Sequence, residues 1–275
     1  MTFDEIEGPI ALSIAGSDSS GGAGIQADIK TFSALKVYGA TVVTAITAQN
    51  SLGVQAVLPL PPDIILRQME SVFSDLAIRA VKIGMLGNED AIDAVLEGLK
   101  RFSQVPIVLD PVMVATSGDR LLEEDAETAL RTRLLPMATL VTPNLEEAAL
   151  LLSDHRAVGE GQQRDQAKRL HEAGAKAVLV KGGHAPGGEA IDVFYDGAQL
   201  QRLSASWIDT KNTHGTGCTL SSAITAFLAR GATLFDAVER AKHYVHEALV
   251  QADRLSIGRG RGPVHHFHNV WREKE

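Results

Sequence analysis

The sequence predicts an α/β fold: a mostly parallel central sheet with helices on both faces, completed by a C-terminal hairpin and two further helices. Three observations predict it. Short, near-continuous apolar runs alternate with stretches of helical period, as in a parallel sheet buried on both sides. Asp196-Gly197 sits between two alternating runs and marks one antiparallel hairpin. No linker, repeat or low-complexity tract breaks the pattern, so the 275 residues read as one domain, 1–275.

The elements follow in order. "PIALSIAG" (9–16) is a buried strand. "GIQADIKTFSALK" (24–36) is a helix with Ile25, Ile29 and Phe32 on one face. "ATVVTAIT" (40–47) is β-branched and reads as one strand. In 63–76 Ile65, Met69, Val72, Phe73 and Leu76 form a helical stripe. Short strands follow at 80–85, 106–110, 139–144 and 176–183, separated by amphipathic stretches. The hairpin occupies 190–205. Leu220, Ile224, Phe227 and Leu228 mark one helix after it, and Leu234, Val238, Ala241, Val245 and Leu249 mark another.

Composition narrows the class. With 45% hydrophobic and 22% charged residues, the chain reads as an ordinary globular protein with a core large enough to need no disulfide. A single cysteine fits a reducing compartment and provides no zinc-type spacing. Lys and Arg number 26 against 34 Asp and Glu, a net charge of −8, which argues against a nucleic-acid surface. No apolar run reaches the roughly 18 residues of a membrane span. The acidic "MTFDEIEGPI" has neither signal-peptide nor transit-peptide character. These features predict a cytoplasmic protein with no nucleic-acid or membrane partner.

In open parallel sheets ligands bind beyond the carboxyl ends of the strands. Polar or glycine-rich signals recur there: Gly16 to Gly24, Gln49 and Asn50, Met85, Asp110-Pro111, Thr142-Pro143-Asn144, and Lys181-Gly182-Gly183. One such residue is an ordinary loop feature; six ends together predict a cleft. "GSDSSGGAGIQAD" satisfies G-x-G-x-x-A between a strand and a helix. A dinucleotide site would need an acid at the end of the next strand, where "AITAQNS" has none, so an oxidoreductase is disfavoured. What remains is a tight glycine turn or a loop that lets backbone approach another ligand. In "NTHGTGCTLSSAI" (212–224), Gly215 and Gly217 permit a turn of N–H groups at a helix start, suited to a phosphoryl group. The alternative is a glycine N-cap beside a packed cysteine. Here the helix dipole is expected to favour a Cys218 thiolate. Asn144 and Glu147, three apart, read equally as Mg²⁺ ligands with Asp110 or as a capping box.

Taken together, "IAGSDSSGGAGIQADIKTFSAL", "TAITAQNSLGV", "KIGMLG", "VLDPVM", "TPNLEEA", "VLVKGGH", "NTHGTGCTLSSAI" and "GPVHHFH" closely resemble the hydroxymethylpyrimidine/phosphomethylpyrimidine kinases of thiamine biosynthesis. The resemblance runs in the family's order from about residue 10 to 268. It implies a ribokinase-like three-layer α/β/α sandwich. The activity it implies is ATP-dependent phosphorylation of 4-amino-5-hydroxymethyl-2-methylpyrimidine and then of its monophosphate, with Mg²⁺, by a homodimer. By the same resemblance Gly16, Ala23, Asp28, Gln49, Met85 and Val112 serve the pyrimidine. Asp110, Asn144 and Lys181 serve ATP, and Glu147 and Asp110 the metal. Gly215, Thr216 and Gly217 form the anion hole beside catalytic Cys218. Many superfamily members carry Asp at the Cys218 position; the pyrimidine branch carries Cys. Pyridoxal kinase is the nearest alternative activity, and a non-catalytic precursor-binding protein a remoter one. "HHFH" (265–268) is expected to pack on the body, "RLSIGRGRG" (254–262) to be a solvated loop, and "MVATSGDR" (113–120) to be a lid.

Overall fold

The computed structural model describes residues 8–102, 104–114, 121–185 and 188–271. The chain runs β1 (Ile10–Ala15), α1 (Gly24–Ala34), β2 (Tyr38–Val43), β3 (Ala45–Asn50), β4 (Gly53–Pro59), α2 (Pro62–Asp75), β5 (Ile78–Ile83) and α3 (Glu89–Phe102). It continues through β6 (Ile107–Leu109), α4 (Glu124–Ala129), β7 (Leu140–Val141), α5 (Leu145–Leu152), α6 (Glu160–Glu172) and β8 (Val178–Val180). Last come β9 (His184–Ala185), β10 (Glu189–Tyr195), β11 (Leu200–Ser206), α7 (Thr216–Ala229) and α8 (Leu234–Val250).

The main sheet is ordered β11-β10-β8-β7-β6-β5-β1-β2, with β9 on β10. From β2 to β8 neighbouring strands are parallel; β10 and β11 are antiparallel. Alternate strand residues feed two cores. Leu12, Ile14, Val81, Ile83 and Leu109 face α2 to α6. Ala11, Ala80, Val108 and Leu179 face α1, α7 and α8. The small side chains on that second face let α7 lie close to the sheet, and nearly every residue from Thr219 to Ala229 is buried. These are the three layers the sequence predicts. The hairpin at Asp196 is also as predicted: the Asp196 carboxylate accepts N–H bonds from Ala198 and Gln199, and Gly197 takes φ +89°.

Two expectations fail. The run 40–47 is two strands, because the chain leaves the sheet at Thr44, whose N–H donates to Ala15 and whose hydroxyl donates to Met85 O at 2.7 Å. β3 then pairs with β4 in a separate two-stranded sheet. No Gly or Pro marks the break, so β-branched residues hide it. Ile29 is not core but exposed at 37%, unlike Ile25 and Phe32. Of the expected lid, residues 115–120 lie outside the described residues.

The C-terminal histidines pack as expected. His265 and His266 are buried, His266 Nε2 meets Thr219 Oγ1 at 3.1 Å, and Tyr244 donates to the His266 carbonyl. The 254–262 loop is largely exposed, yet it also grips the β3–β4 turn. Ser51 Oγ accepts from Arg259 N and Gly260 N, and Ser51 O accepts from Arg261 N. No helix among the described residues is long and apolar enough to cross a membrane.

Burial, helped by Lys30 and neighbouring histidines, holds the His266 imidazole down from 6.5 to about 3. A histidine with a depressed native pKa contributes stability that is full above 6.5 and is lost as pH falls below it, by up to about 1.4 kcal/mol for each pH unit. His266→Asn should therefore show a smaller drop in melting temperature between pH 7 and pH 5 than the parent chain. Equal drops in thermal melts would show that His266 does not titrate on unfolding.

Candidate active site

A cleft of about 490 Å³ opens beyond the carboxyl ends of β1, β5, β6, β7 and β8 and is closed on one side by the start of α7. Gly16, Ala23, Gln49, Met85 and Val112 all line it. At Gly16 a Cβ would sit 3.0 Å from the Met85 methyl, so the strand end and that apolar side chain are closely packed. Gln49 comes from β3 of the small sheet and not from the end of a parallel strand. Ser19 anchors it, accepting from Gln49 N and donating to Gln49 O, which leaves the amide at the cleft wall.

Asp28 departs from expectation. It is fully buried and absent from the cleft wall. Its carboxylate accepts from Ser13 Oγ at 2.5 Å, Ser222 Oγ at 2.6 Å and Lys82 Nζ at 2.8 and 3.0 Å. Those bonds occupy its oxygens, leaving little to offer a ligand. Lys82, the partner, does reach the cleft floor.

The glycine loop after β1 is organised by Asp18. Oδ1 accepts from the Ser20 amide and hydroxyl, and Oδ2 from the Gly22 and Ala23 amides. His214 Nε2 lies 2.8 Å from the same Oδ2. Burial would raise this carboxyl, but the His214 and loop hydrogen bonds hold it at about 2. Asp18 thus ties the first glycine loop to the second. Gly215 answers it with φ +76°, and a Cβ there would stand 1.9 Å from the Gly22 carbonyl oxygen.

Gly215 caps α7. Thr216 N–H is spent on Thr213 O at 3.2 Å, so Thr216 does not supply the expected anion-hole donor through its amide. The amides of Gly217 and Cys218 have no acceptor among the described residues, as is common for the first N–H groups of a helix. Cys218 is half-buried. Burial pushes its thiol up to about 11, outweighing Lys82 and the Gly24 amide, so the thiolate expected from the helix dipole is not the resting form.

Opposite Gly217 stands a charged cluster. Lys181 Nζ lies 2.8 Å from Asp110 Oδ1 and 3.8 Å from Glu147 Oε2. Thr142 and Ser221 hydroxyls also donate to Asp110. Despite its burial, Lys181 and Lys82 keep the Asp110 carboxyl below its usual range. Asn144 and Glu147 form a complete capping box on α5: Asn144 Oδ1 accepts from the Glu146 and Glu147 amides, and Glu147 Oε2 from Asn144 N at 2.7 Å. Burial nevertheless pushes Glu147 up to about 7, with Lys181 opposing and Asp110 adding to the rise. A Cβ on Gly217 would stand 3.2 Å from Lys181 Nζ and 3.6 Å from Asp110 Oδ2, so glycine keeps a cradle open between the α7 amides and the lysine. At the far end Trp207, Val245 and Leu249 form an apolar slot beside the Lys242–Asp192 pair at 2.7 Å.

Sequence reasoning missed Lys82, Asp18, His214 and the Trp207 slot. A lone lysine inside the apolar run "AVKIGM" was a usable signal for the first. Asp18 and His214 lay within the quoted glycine motifs, unmarked among better-known positions. Nothing local marked the slot.

A parallel α/β/α sandwich whose strand ends carry a glycine-led helix start facing a lysine–carboxylate cluster defines a ribokinase-like small-molecule kinase. The phosphomethylpyrimidine kinase profile matches residues 18–265, and the chain belongs to that family. It is 59% identical over 264 residues to the hydroxymethylpyrimidine/phosphomethylpyrimidine kinase of Rhizobium meliloti, covering 96% of this chain and 99% of that one. Among solved structures it is similar to the pyridoxal kinase of Bacillus subtilis in its ADP complex, with TM-score 0.88, 38% identity, and coverage of 96% and 99%. The phosphomethylpyrimidine kinase of Clostridium difficile gives TM-score 0.77 at 43% identity, covering 87% of this chain and 99% of that one.

Gly217→Ala separates site from scaffold. Alanine is the better helix former by about 1 kcal/mol, so the melting temperature should hold or rise. The added methyl narrows the gap between α7 and Lys181, and turnover should fall at least about tenfold if the transferred group sits there. Unchanged turnover in a steady-state assay would place the transferred group elsewhere.

Proposed function

We propose that the chain transfers the γ-phosphoryl group of ATP to the hydroxymethyl oxygen of 4-amino-5-hydroxymethyl-2-methylpyrimidine, and a second phosphoryl group to the resulting monophosphate, serving thiamine biosynthesis. The observation that carries the reading is one cleft lined together by Gln49, Met85, Val112, Gly217, Cys218, Lys181 and Asp110. The Gln49 amide both donates and accepts, which suits an aminopyrimidine edge. The Trp207, Val245 and Leu249 slot suits a nucleobase. Lys181 and the Gly217 and Cys218 amides would hold the transferred group as the substrate oxygen bonds to phosphorus and the bond to ADP breaks. The hydroxyl proton passes to Cys218 Sγ in its thiolate form.

The residues fit Mg²⁺ without caging it. Among the described residues no group of three or more His, Cys, Asp or Glu could hold a metal ion. Asp110 and Glu147 would hold it through waters, with phosphate oxygens completing the shell; bound there, it would neutralise phosphate charge. The expected homodimer is supported by the outer face of the β3–β4 sheet, where Ile46 and Leu58 pair and are 50% and 61% exposed.

The deciding assay measures ADP release with hydroxymethylpyrimidine, its monophosphate and pyridoxal as acceptors. The pyrimidines should give the highest kcat/KM. A higher value for pyridoxal would overturn the reading in favour of the activity of the Bacillus subtilis neighbour.

With a thiol near 11, the base form of Cys218 grows tenfold per pH unit at neutral pH. kcat should therefore rise between pH 7 and 9. Cys218→Ala should lower it by about 10² and flatten that rise, with KM for ATP little changed. A Cys218→Ala enzyme with full kcat would leave catalysis to the anion hole alone. Glutamine at position 147 can still accept the Asn144 N–H, so Glu147→Gln should keep its melting temperature and require more Mg²⁺ for half-maximal rate. A lower melting temperature with an unmoved Mg²⁺ titration would reduce Glu147 to its capping role.

A further inference from the structure

Lys82 is the least expected side chain in the molecule. It lies in β5 near the middle of the sheet, between β1 and β6, and is fully buried with Asp28. Its register partners are Ser13 and Val108. A buried ion pair of this kind seldom gains on a well-packed apolar pair, so stability alone is a weak reason for it. Its surroundings suggest another. Asp28 takes the Lys82 ammonium on both oxygens and is itself held by Ser13 and Ser222. Ser222 stands four residues after Cys218 in α7, one turn along the same helix face. The chain of contacts from Lys82 through Asp28 to Ser222 therefore ends one turn below the thiol. Lys82 and Cys218 both line the cleft, and the described contacts of Lys82 Nζ are those to Asp28.

We propose that Lys82 is a positioning residue for Cys218: its ammonium, fixed by Asp28 against Ser222 one turn along α7, is the standing positive charge that makes a thiolate attainable there. The inference rests on the proposed role of Cys218 as base. No proton passes through Lys82. The thiol loses its proton to solvent, the thiolate takes the substrate hydroxyl proton as the O–P bond forms, and Lys82 stays charged throughout. The groups acting on the sulfur are Lys82 and the Gly24 amide in favour of the anion, with Asp28 and Asp110 against it; Lys181 also interacts with the sulfur. Removing Lys82 or Asp28 thus pulls the thiol in opposite directions, which loss of packing would not do.

Cys218 is the single cysteine of the chain, so iodoacetamide reports on it alone. Alkylation of the full chain is followed against pH without substrate. At pH 8, Lys82→Met should react about tenfold more slowly than the parent and Asp28→Asn about tenfold faster, because the thiol becomes a weaker acid in the first and a stronger one in the second. Changes in the same direction in both variants, or in neither, overturn the proposal. If Lys82→Met does not fold, Lys82→Met/Asp28→Asn is compared with Asp28→Asn: slower alkylation in the double variant supports the proposal and equal rates overturn it. The kcat profile separates the two readings. A Cys218→Ala enzyme with full kcat removes the base, and the proposal's catalytic meaning with it. Opposite changes in alkylation rate beside a damaged Cys218→Ala enzyme support both.

Discussion

The candidate active site depends on one close approach. The Gly22 carbonyl oxygen presses against Gly215 so tightly that a Cβ would lie 1.9 Å away, and Gly215 is in the left-handed region at φ +76°. Glycine is needed there twice over, for space and for backbone conformation. The Asp18–His214 contact at 2.8 Å pins the approach from the side. The second anchor is also part of the C-terminal segment's seat, since His214 N–H donates to Gly262 O at 3.0 Å. Loops from opposite ends of the chain are thereby held as one wall, and the α7 amides face the floor of the cleft because of it.

Charge in and beneath the cleft is organised in pairs. Asp28 answers Lys82, and Asp110 answers Lys181. Glu147 is left as the odd carboxyl, facing a lysine that already has a closer partner. Burial then settles its state, pushing it to about 7. Burial governs Cys218 as well: it pushes the thiol up to about 11, with Lys82 opposing and Asp28 and Asp110 adding to the rise. In both groups burial outweighs the nearby lysine, Lys181 for Glu147 and Lys82 for Cys218.

Much of this was legible in the chain itself. The parallel strands and the late hairpin declared themselves through periodicity and Asp196-Gly197, and the cleft through the polar residues at successive strand ends. What stayed hidden has physical reasons. Thr44 turns the chain out of the sheet using tertiary hydrogen bonds, which leave no local signature. Asp28 lies on a helix beside a glycine loop, and only packing reveals that it faces the interior. Thr216 looks like a donor until Thr213 folds back to take its N–H. The state of Cys218 depends on burial that helix position alone does not predict. Asn144 and Glu147 form the capping box and still face the Lys181 cluster, so the two readings of their spacing are compatible.

The grip of the Arg259 and Gly260 amides on Ser51 joins residues separated by 208 and 209 positions. Long-range closures of this kind form late, after local elements have gained their structure. During synthesis the β3–β4 hairpin carrying Gln49 emerges early, and its restraint emerges only with the segment beyond α8. The hairpin is therefore clamped only after nearly all the sheet has been made, and a nascent chain with an ordered sheet still lacks that clamp.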